Sequence, residues 1–193
     1  RVLGEIRDIG DVARASGGTL SGPLSLGVIP TVAPYLLPPL LPRLQARYPR
    51  LELRVRETQT STLTEELIEG KLDLLLLAMP IHHPEIETLD LFEDRFLLAT
   101  STNEPKARQR PATVDLLKHG RLLLLEEGHC LRDQALAFCQ LRDIRQVDTF
   151  GTSSLSTLAQ MVAGGMGLTL LPEISIAFET ARVPLRLTRF EKP

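Results

Sequence analysis

The fold is decided by the stretch LELRVRETQTSTLTEELIEGKLDLLLLA, residues 51–78. Its first seven residues alternate apolar and charged side chains, which is the pattern of a half-buried strand. Residues 61–70 have helical periodicity, with Ser61 as a possible N-cap and Gly70 as the stop. The apolar run at residues 72–78 then predicts a buried strand. A strand, a helix and a strand in this order indicate an α/β unit.

The same alternation extends upstream of this stretch. Residues 24–29 predict a strand, and a helix is expected to follow it as far as Tyr48. Thr31 is placed as the N-cap of this helix and Pro34 falls in its first turn. Prolines 38, 39 and 42 predict that the helix is irregular or split, because each proline removes a backbone donor.

Downstream, strands are predicted at residues 86–91, 96–100, 121–125, 146–150 and 168–171, and helices at 131–141 and 154–163. We therefore expect an α/β protein with mainly parallel strands, built as two Rossmann-like lobes of the periplasmic-binding-protein type. Residues 1–20 are predicted to be the end of a linker helix and a linker. Residues 21–93 form the first predicted lobe and residues 94–193 the second. Paired lobes of this kind commonly hold a small ligand.

Composition excludes several classes of function. The 193 residues include 22 basic and 24 acidic side chains and carry a net charge of −2, so no extended basic surface for DNA is predicted. Apolar runs are far shorter than the roughly 20 residues of a membrane-spanning helix. The spacing of histidines and acidic residues predicts neither a metal site nor a cofactor. We expect a soluble, cytoplasmic protein.

The most informative segment is EEGHCLRDQALAFC, residues 126–139. If the chain is helical from Leu131 onward, Cys130 lies at the helix N-terminus, where the positive end of the dipole favours a thiolate. His129 and Arg132 would strengthen this effect, whereas Glu126, Glu127 and Asp133 oppose it. The segment therefore predicts a reactive thiol, although free cysteines are also commonly buried as small apolar side chains.

The second cysteine of this segment, Cys139, lies nine residues after Cys130. In a helix this separation corresponds to a rise of about 13 Å and roughly half a turn. A disulfide requires Cα atoms within about 7 Å. Either the two cysteines never pair, or pairing requires the segment to unwind and repack.

Residues 128–135, GHCLRDQA, followed by Cys139, resemble the signature of hydrogen-peroxide-sensing transcription regulators of the LysR family. Supporting stretches are IPTVAPYLLP at residues 29–38, ETQT at 57–60 and MVAGGMGLTLLP at 161–172. These stretches span most of the chain. The resemblance implies a regulatory domain in which peroxide oxidises Cys130, and Cys139 then captures the product as a disulfide. It also implies that Thr31, Thr60, His129, Arg132 and Asp133 bind peroxide or activate the thiol.

Partners are likewise implied by the resemblance. They are hydrogen peroxide, a thiol reductant, RNA polymerase, and promoter DNA held by an N-terminal winged helix-turn-helix that this chain lacks. A homodimer would form through the regulatory domain and a homotetramer in the full-length protein. Elements that return to the first lobe at the C-terminus are also expected to be missing.

Two other classes of function are weighed. A thiol peroxidase would use the same cysteine catalytically, but the chain has no Thr-x-x-Cys motif, so no enzyme is predicted. A LysR-type domain that binds an organic effector is supported by the hydroxyl cluster of Thr152, Ser153 and Ser154, which could hold a carboxylate at a helix N-terminus. The simpler interpretation is that Ser153 or Ser154 caps the helix.

Overall fold

The computed structural model describes residues 20–81, 83–103, 111–113, 117, 120–138, 147–149 and 152–190, with residues 147–149 described by backbone alone. Two compact units divide between Thr88 and Leu89. The finer assignment to residues 1–20, 21–93 and 94–193 stays a prediction.

A three-stranded parallel sheet organises the first unit. Its central strand β1 (Gly22–Val28) pairs with β2 (Leu51–Glu57) on one side and with β3 (Leu74–Leu76) on the other. The connecting helices are α1 (Ala33–Arg47) and α2 (Thr60–Ile68). The predicted β-α-β-α-β order is confirmed.

The core of the first unit joins α1 to the sheet. Val28, Ala33 and Leu37 are buried together, with Leu26 and Leu76 packed against them. On the same strand, Gly27 leaves no room for a side chain: a Cβ atom would lie 2.6 Å from a methyl of Leu75 and 2.8 Å from one of Leu63. The close contact of α2 with β1 therefore depends on this glycine.

Helix α1 differs from the prediction at its start. Val32 occupies the N-cap position and no side chain caps the helix, so the role assigned to Thr31 as a cap is wrong. Pro34 does lie in the first turn. Residues 38, 39 and 42 are prolines within one uninterrupted helix. All three are exposed, so water can hydrate the carbonyls that they leave without donors.

Three further expectations for the first unit are wrong. Helix α2 begins one residue early, with Gln59 rather than Ser61 at its N-cap. Strand β3 is shorter than predicted, and Leu74 is 54% exposed because β3 lies at the edge of the described sheet. Residues 86–91 form no strand; Leu89 is 81% exposed, and no described strand pairs with this segment.

The second unit has β4 (Phe96–Ser101) at the centre of an antiparallel sheet. Its neighbours are β7 (Thr169–Pro172) and β8 (Leu185–Arg189). The expectation of mainly parallel strands is wrong for β4, because both neighbours run against it. A parallel pair, β5 (Leu122–Leu124) and β6 (Val147–Thr149), follows the prediction.

Helices whose full bounds lie in the described ranges accompany these strands. They are α3 (Cys130–Phe138), α4 (Leu155–Ala163) and α5 (Ile176–Thr180), the last preceded by a 3₁₀ turn at Glu173–Ser175. Helix α3 packs on the core through Ala135 and Leu136, and Leu131 of the same helix is also buried. The apolar core of the second unit comprises Leu98, Ala112, Leu117, Leu122, Leu124, Ala135 and Leu170.

An aromatic cluster holds the C-terminal end of α3. The ring of Phe138 lies edge-on to Phe96 at 5.6 Å and to Phe190 at 4.8 Å between ring centroids. Edge-to-face pairs at such distances are attractive. The last described turn of α3 is thereby attached to β4 and to the end of β8.

Two local contacts fix the loops around this core. A Cβ atom on Gly167 would lie 2.4 Å from the carbonyl oxygen of Arg121, so the chain passes close to β5 at this point. The carboxylate of Asp94 accepts a hydrogen bond of 3.0 Å from the backbone N–H of Ile174. Burial raises the pKa of the Asp94 carboxyl, and this backbone hydrogen bond only partly opposes the rise.

Candidate functional site

Cys130 is the first residue of α3 and is half-buried. The loop before it is shaped by Gly128, whose φ of +92° places the backbone in a region that glycine adopts readily. The backbone N–H of Arg132 donates to the carbonyl of His129 at 2.9 Å, which forms the first turn. The predicted position of the thiol at a helix N-terminus is confirmed, and the helix dipole there favours negative charge on sulfur.

His129 is 4% exposed and its Nε2 atom has no hydrogen-bond partner among the described residues. The nearest carboxylate to Nε2 is that of Glu126, at 3.8 Å from Oε1. Arg132 is mostly buried, and its Nε atom also has no partner in the described part of the chain. Its Nη2 lies 3.7 Å from Oε1 of Glu127. Residues on either side of Cys130 in the sequence therefore each bury a nitrogen atom that has no hydrogen bond to any described residue.

The two glutamates before Cys130 each approach one of the nitrogen-bearing side chains. The side chain of Glu126 approaches His129 and that of Glu127 approaches Arg132. The expectation that their charges oppose a thiolate stays a prediction. The three-residue spacing between Glu126 and His129 could have suggested this arrangement. Asp133, in the first turn of α3, is exposed.

Thr31 and Thr60 belong to the first unit and lie at one edge of its sheet. Strands β1 and β2 are parallel and in register to their ends, with Val28 opposite Glu57. Each threonine follows its strand end by three residues, so both lie at the carboxyl edge, where α/β sheets bind ligands. Thr31 is buried, and the Oγ1 atom of Thr60 is buried without a partner among the described residues.

The hydroxyl cluster after β6 is used for capping. The side chain of Ser154 accepts a hydrogen bond of 3.3 Å from the backbone N–H of Thr157, so Ser154 caps α4. The Oγ1 atom of Thr152 accepts from the N–H of Ser154 at 3.2 Å. The carbonyl of Thr152 also accepts from the N–H of Glu126 at 3.0 Å, which joins this loop to the cysteine loop. The capping interpretation of this cluster is confirmed.

The remaining expectations concern Cys139, metal binding and membrane-spanning helices. Cys139 lies outside the described residues. Within the described ranges, no group of three or more histidine, cysteine or acidic side chains could hold a metal ion. Among the same residues, no helix is both long and apolar enough to cross a membrane.

Comparison with known families identifies the class of this fold and site. Residues 17–193 match the model of the LysR substrate binding domain, and the chain belongs to that family. The particular relatives are activators of hydrogen peroxide-inducible genes. The chain is 45% identical over its whole length to a probable hydrogen peroxide-inducible genes activator of Streptomyces viridosporus, covering 62% of that protein. It is 41% identical, over 94% of the chain, to the DNA-binding transcriptional dual regulator OxyR of Escherichia coli, covering 59% of it.

A solved structure shows the same likeness. The reduced form of the regulatory domain of OxyR2 from Vibrio vulnificus superimposes with a TM-score of 0.82 at 34% identity, covering 91% of this chain and 83% of that one. The resemblance inferred from the cysteine segment is thus confirmed at the level of family and of relatives. The chain spans about three fifths of the length of the curated relatives.

Proposed function

We propose that this chain is the redox-sensing regulatory domain of a LysR-type transcription activator, in which hydrogen peroxide oxidises Cys130. One observation carries the proposal: Cys130 begins a helix, and the nearby residues His129 and Arg132 each bury a nitrogen atom that has no hydrogen bond within the described part of the chain. Buried polar groups are nearly always paired, and unpaired ones concentrate at functional sites. In the proposal, the oxygen atoms of hydrogen peroxide accept hydrogen bonds from these nitrogens.

The proposed first step forms sulfenic acid. The Cys130 thiolate attacks one oxygen of hydrogen peroxide, an S–O bond forms, and the O–O bond breaks. The leaving hydroxide takes up a proton and becomes water. His129 and Arg132 are assigned to orient the peroxide, and Thr31 and Thr60 to donate or accept hydrogen bonds. Asp133, which is exposed, is given only an orienting role.

The proposed second step forms a disulfide. The Cys139 thiolate attacks the sulfenic sulfur, an S–S bond forms, and hydroxide leaves and is protonated. Helix α3 runs from Cys130 to Phe138, which is about 12 Å of helical rise. Because a disulfide needs Cα atoms within about 7 Å, the reaction requires α3 to reorganise. Such a change between two packings is what a switch requires.

The remaining parts of the proposal concern the full-length protein. The disulfide would alter the contact between regulatory domains of a homodimer, and so reposition the DNA-reading domains of a tetramer. RNA polymerase would be engaged at the promoter, a cellular thiol reductant would reset the switch, and the protein would act in the bacterial cytoplasm. The protein would respond stoichiometrically rather than turn over as an enzyme.

Mass spectrometry of tryptic peptides after a stoichiometric peroxide pulse tests the proposal. The wild-type chain should form a Cys130–Cys139 disulfide, and Cys139→Ser should accumulate sulfenic acid on Cys130. Cys130→Ser is the matched control and should leave Cys139 reduced. If Cys130 stays reduced in the wild-type chain, the proposal fails and a domain that binds an organic effector becomes the better hypothesis.

A further inference from the structure

The side chains of Glu126 and His129 form a pair that the proposed peroxide chemistry does not yet use. The imidazole is almost fully buried, at 3% side-chain exposure, whereas the carboxylate is 41% exposed. Their closest atoms, His129 Nε2 and Glu126 Oε1, are 3.8 Å apart. No hydrogen-bond partner of Nε2 is found in the described residues. Among the described residues, the Glu126 carboxylate is the acidic group that lies within 4 Å of Nε2.

A separation of 3.8 Å is too long for a hydrogen bond but short for an electrostatic interaction. Hydrogen bonds between nitrogen and oxygen span about 2.7–3.2 Å. At the longer distance, a carboxylate attracts an N–H group that points toward it and repels a nitrogen lone pair in the same place. It therefore favours the ring orientation and the tautomer in which Nε2 carries hydrogen. The N–H remains available to a ligand, because the carboxylate does not take it up in a hydrogen bond.

We infer that Glu126 is a positioning residue, which keeps His129 in the orientation and tautomer that donate a hydrogen bond from Nε2. This inference rests on the proposed peroxide reaction. The bound peroxide oxygen that leaves as hydroxide accepts this hydrogen bond while sulfur attacks the other oxygen. The hydroxide takes up its proton from solvent.

Substitution of the Glu126 side chain keeps the backbone contact between the cysteine loop and the loop at Thr152. The second contact of Glu126 is made by its backbone N–H, which donates to the carbonyl of Thr152. Glu126→Ala retains this hydrogen bond and removes only the carboxylate. Glu127→Ala is a matched control, because it removes a neighbouring carboxylate that approaches Arg132 rather than His129.

The first readout is the tautomer of His129, measured by ¹⁵N–¹H correlation spectra of the reduced chain. The wild-type chain and Glu127→Ala should carry hydrogen on Nε2, whereas Glu126→Ala should show an increased Nδ1–H population. Glu126→Asp, which keeps the charge, should restore part of the wild-type spectrum. An unchanged tautomer in Glu126→Ala would overturn the inference, whatever the reactivity of the thiol.

The second readout is the rate of sulfenic acid formation in a Cys139→Ser background. Glu126→Ala should react about ten-fold more slowly, a part of the roughly 10²- to 10³-fold that one fixed hydrogen-bond donor to a developing negative charge supplies. Glu127→Ala should stay within about two-fold of the parent. An equal loss in both variants would mean a general charge effect and would refute the pairing. Failure of the parent to react would instead refute the proposed function, and the spectra would still decide the role of Glu126.

Discussion

Replacement of Phe138 by alanine tests how firmly the structure holds α3 in its helical form. Phe138 ends the described part of the helix and packs edge-on against Phe96 and Phe190. Under the proposed second step α3 must reorganise, and we expect its C-terminal end to leave these aromatic contacts. Phe138 is therefore expected to stabilise the reduced form and to set how readily the second step follows the first.

The magnitude follows from the contacts and the exposure of the ring. Truncation of a fully buried phenylalanine costs about 3–5 kcal/mol, and two edge-on pairs account for roughly 0.5–1.5 kcal/mol each beyond the buried area. Because Phe138 is 38% exposed, we expect a loss of about 2 kcal/mol. At roughly 1.4 kcal/mol per factor of ten, local opening of α3 becomes about thirty-fold more frequent.

Hydrogen exchange of the reduced protein measures this opening directly. In Phe138→Ala, amides of α3 should exchange about thirty-fold faster, whereas those of β4 should change little. Phe178→Ala is the matched control, because Phe178 is also 38% exposed but packs beneath Arg182. The interval between sulfenic acid and disulfide should shorten only in the first variant. Unchanged exchange in α3, or an equal change in the control, would refute the reasoning.

Three further predictions concern stability. In urea titrations, Gly167→Ala should lower the free energy of unfolding by about 1–3 kcal/mol, because the new methyl group meets a backbone carbonyl. Gly164→Ala is the control and should leave the free energy of unfolding nearly unchanged, because the atom nearest to the new methyl group is 3.4 Å away. Ser154→Ala should lower the free energy of unfolding by about 1 kcal/mol through loss of the cap, seen as a Tm decrease of roughly 2–4 °C that Ser153→Ala does not show. The raised pKa of Asp94 means that the folded state holds this proton more tightly than the unfolded state, so stability from this group is lost as pH rises above about 3.8. Asp94→Asn should lack that part of the pH dependence in denaturation curves, and identical curves would contradict the assignment.

The sequence predicted the order of elements in the first unit because each strand and helix has a clear local pattern. Prediction from sequence failed where the burial of a residue depends on whether its strand has neighbouring strands. Leu74 lies in an apolar run that resembles a central strand, yet β3 has one described neighbour and leaves this side chain exposed. Residues 86–91 alternate like a strand, but no described strand pairs with them. Hydrophobic periodicity alone does not indicate which strands pair with each other.

In the second unit the elements at the end of the chain were missed. No element was predicted after residue 171, although α5 and β8 follow. Strand β8 has the sequence LRLTR, whose alternation is short and includes two arginines. To assign β8 from sequence, one must know that one edge of β4 lacks a partner strand. The pairing of β4 with β8 joins residues more than eighty positions apart. Tertiary pairing of this kind is not encoded in a local window.

For the candidate site, the thiol and its helix could be predicted because Gly128, the charged residues and the helical pattern are adjacent in sequence. The contact of Glu126 with His129 could not be predicted with the same certainty. It depends on the turn at Gly128 and on side-chain rotamers, which together leave Nε2 buried. The sequence predicted a set of candidate residues around the thiol, and the structure adds that Glu126 approaches His129 and Glu127 approaches Arg132.

The central position of β4 has a consequence for synthesis on the ribosome. Both strands that flank β4 are made long after it, and the last contacts of its far edge come from residues 185–189. At a translation rate of roughly 5–20 residues per second, β8 leaves the ribosome about 4–17 seconds after β4. The nascent chain thus presents Cys130 before its sheet is closed. During that interval β4 lacks one or both of its strand partners, and the second unit cannot complete its antiparallel sheet.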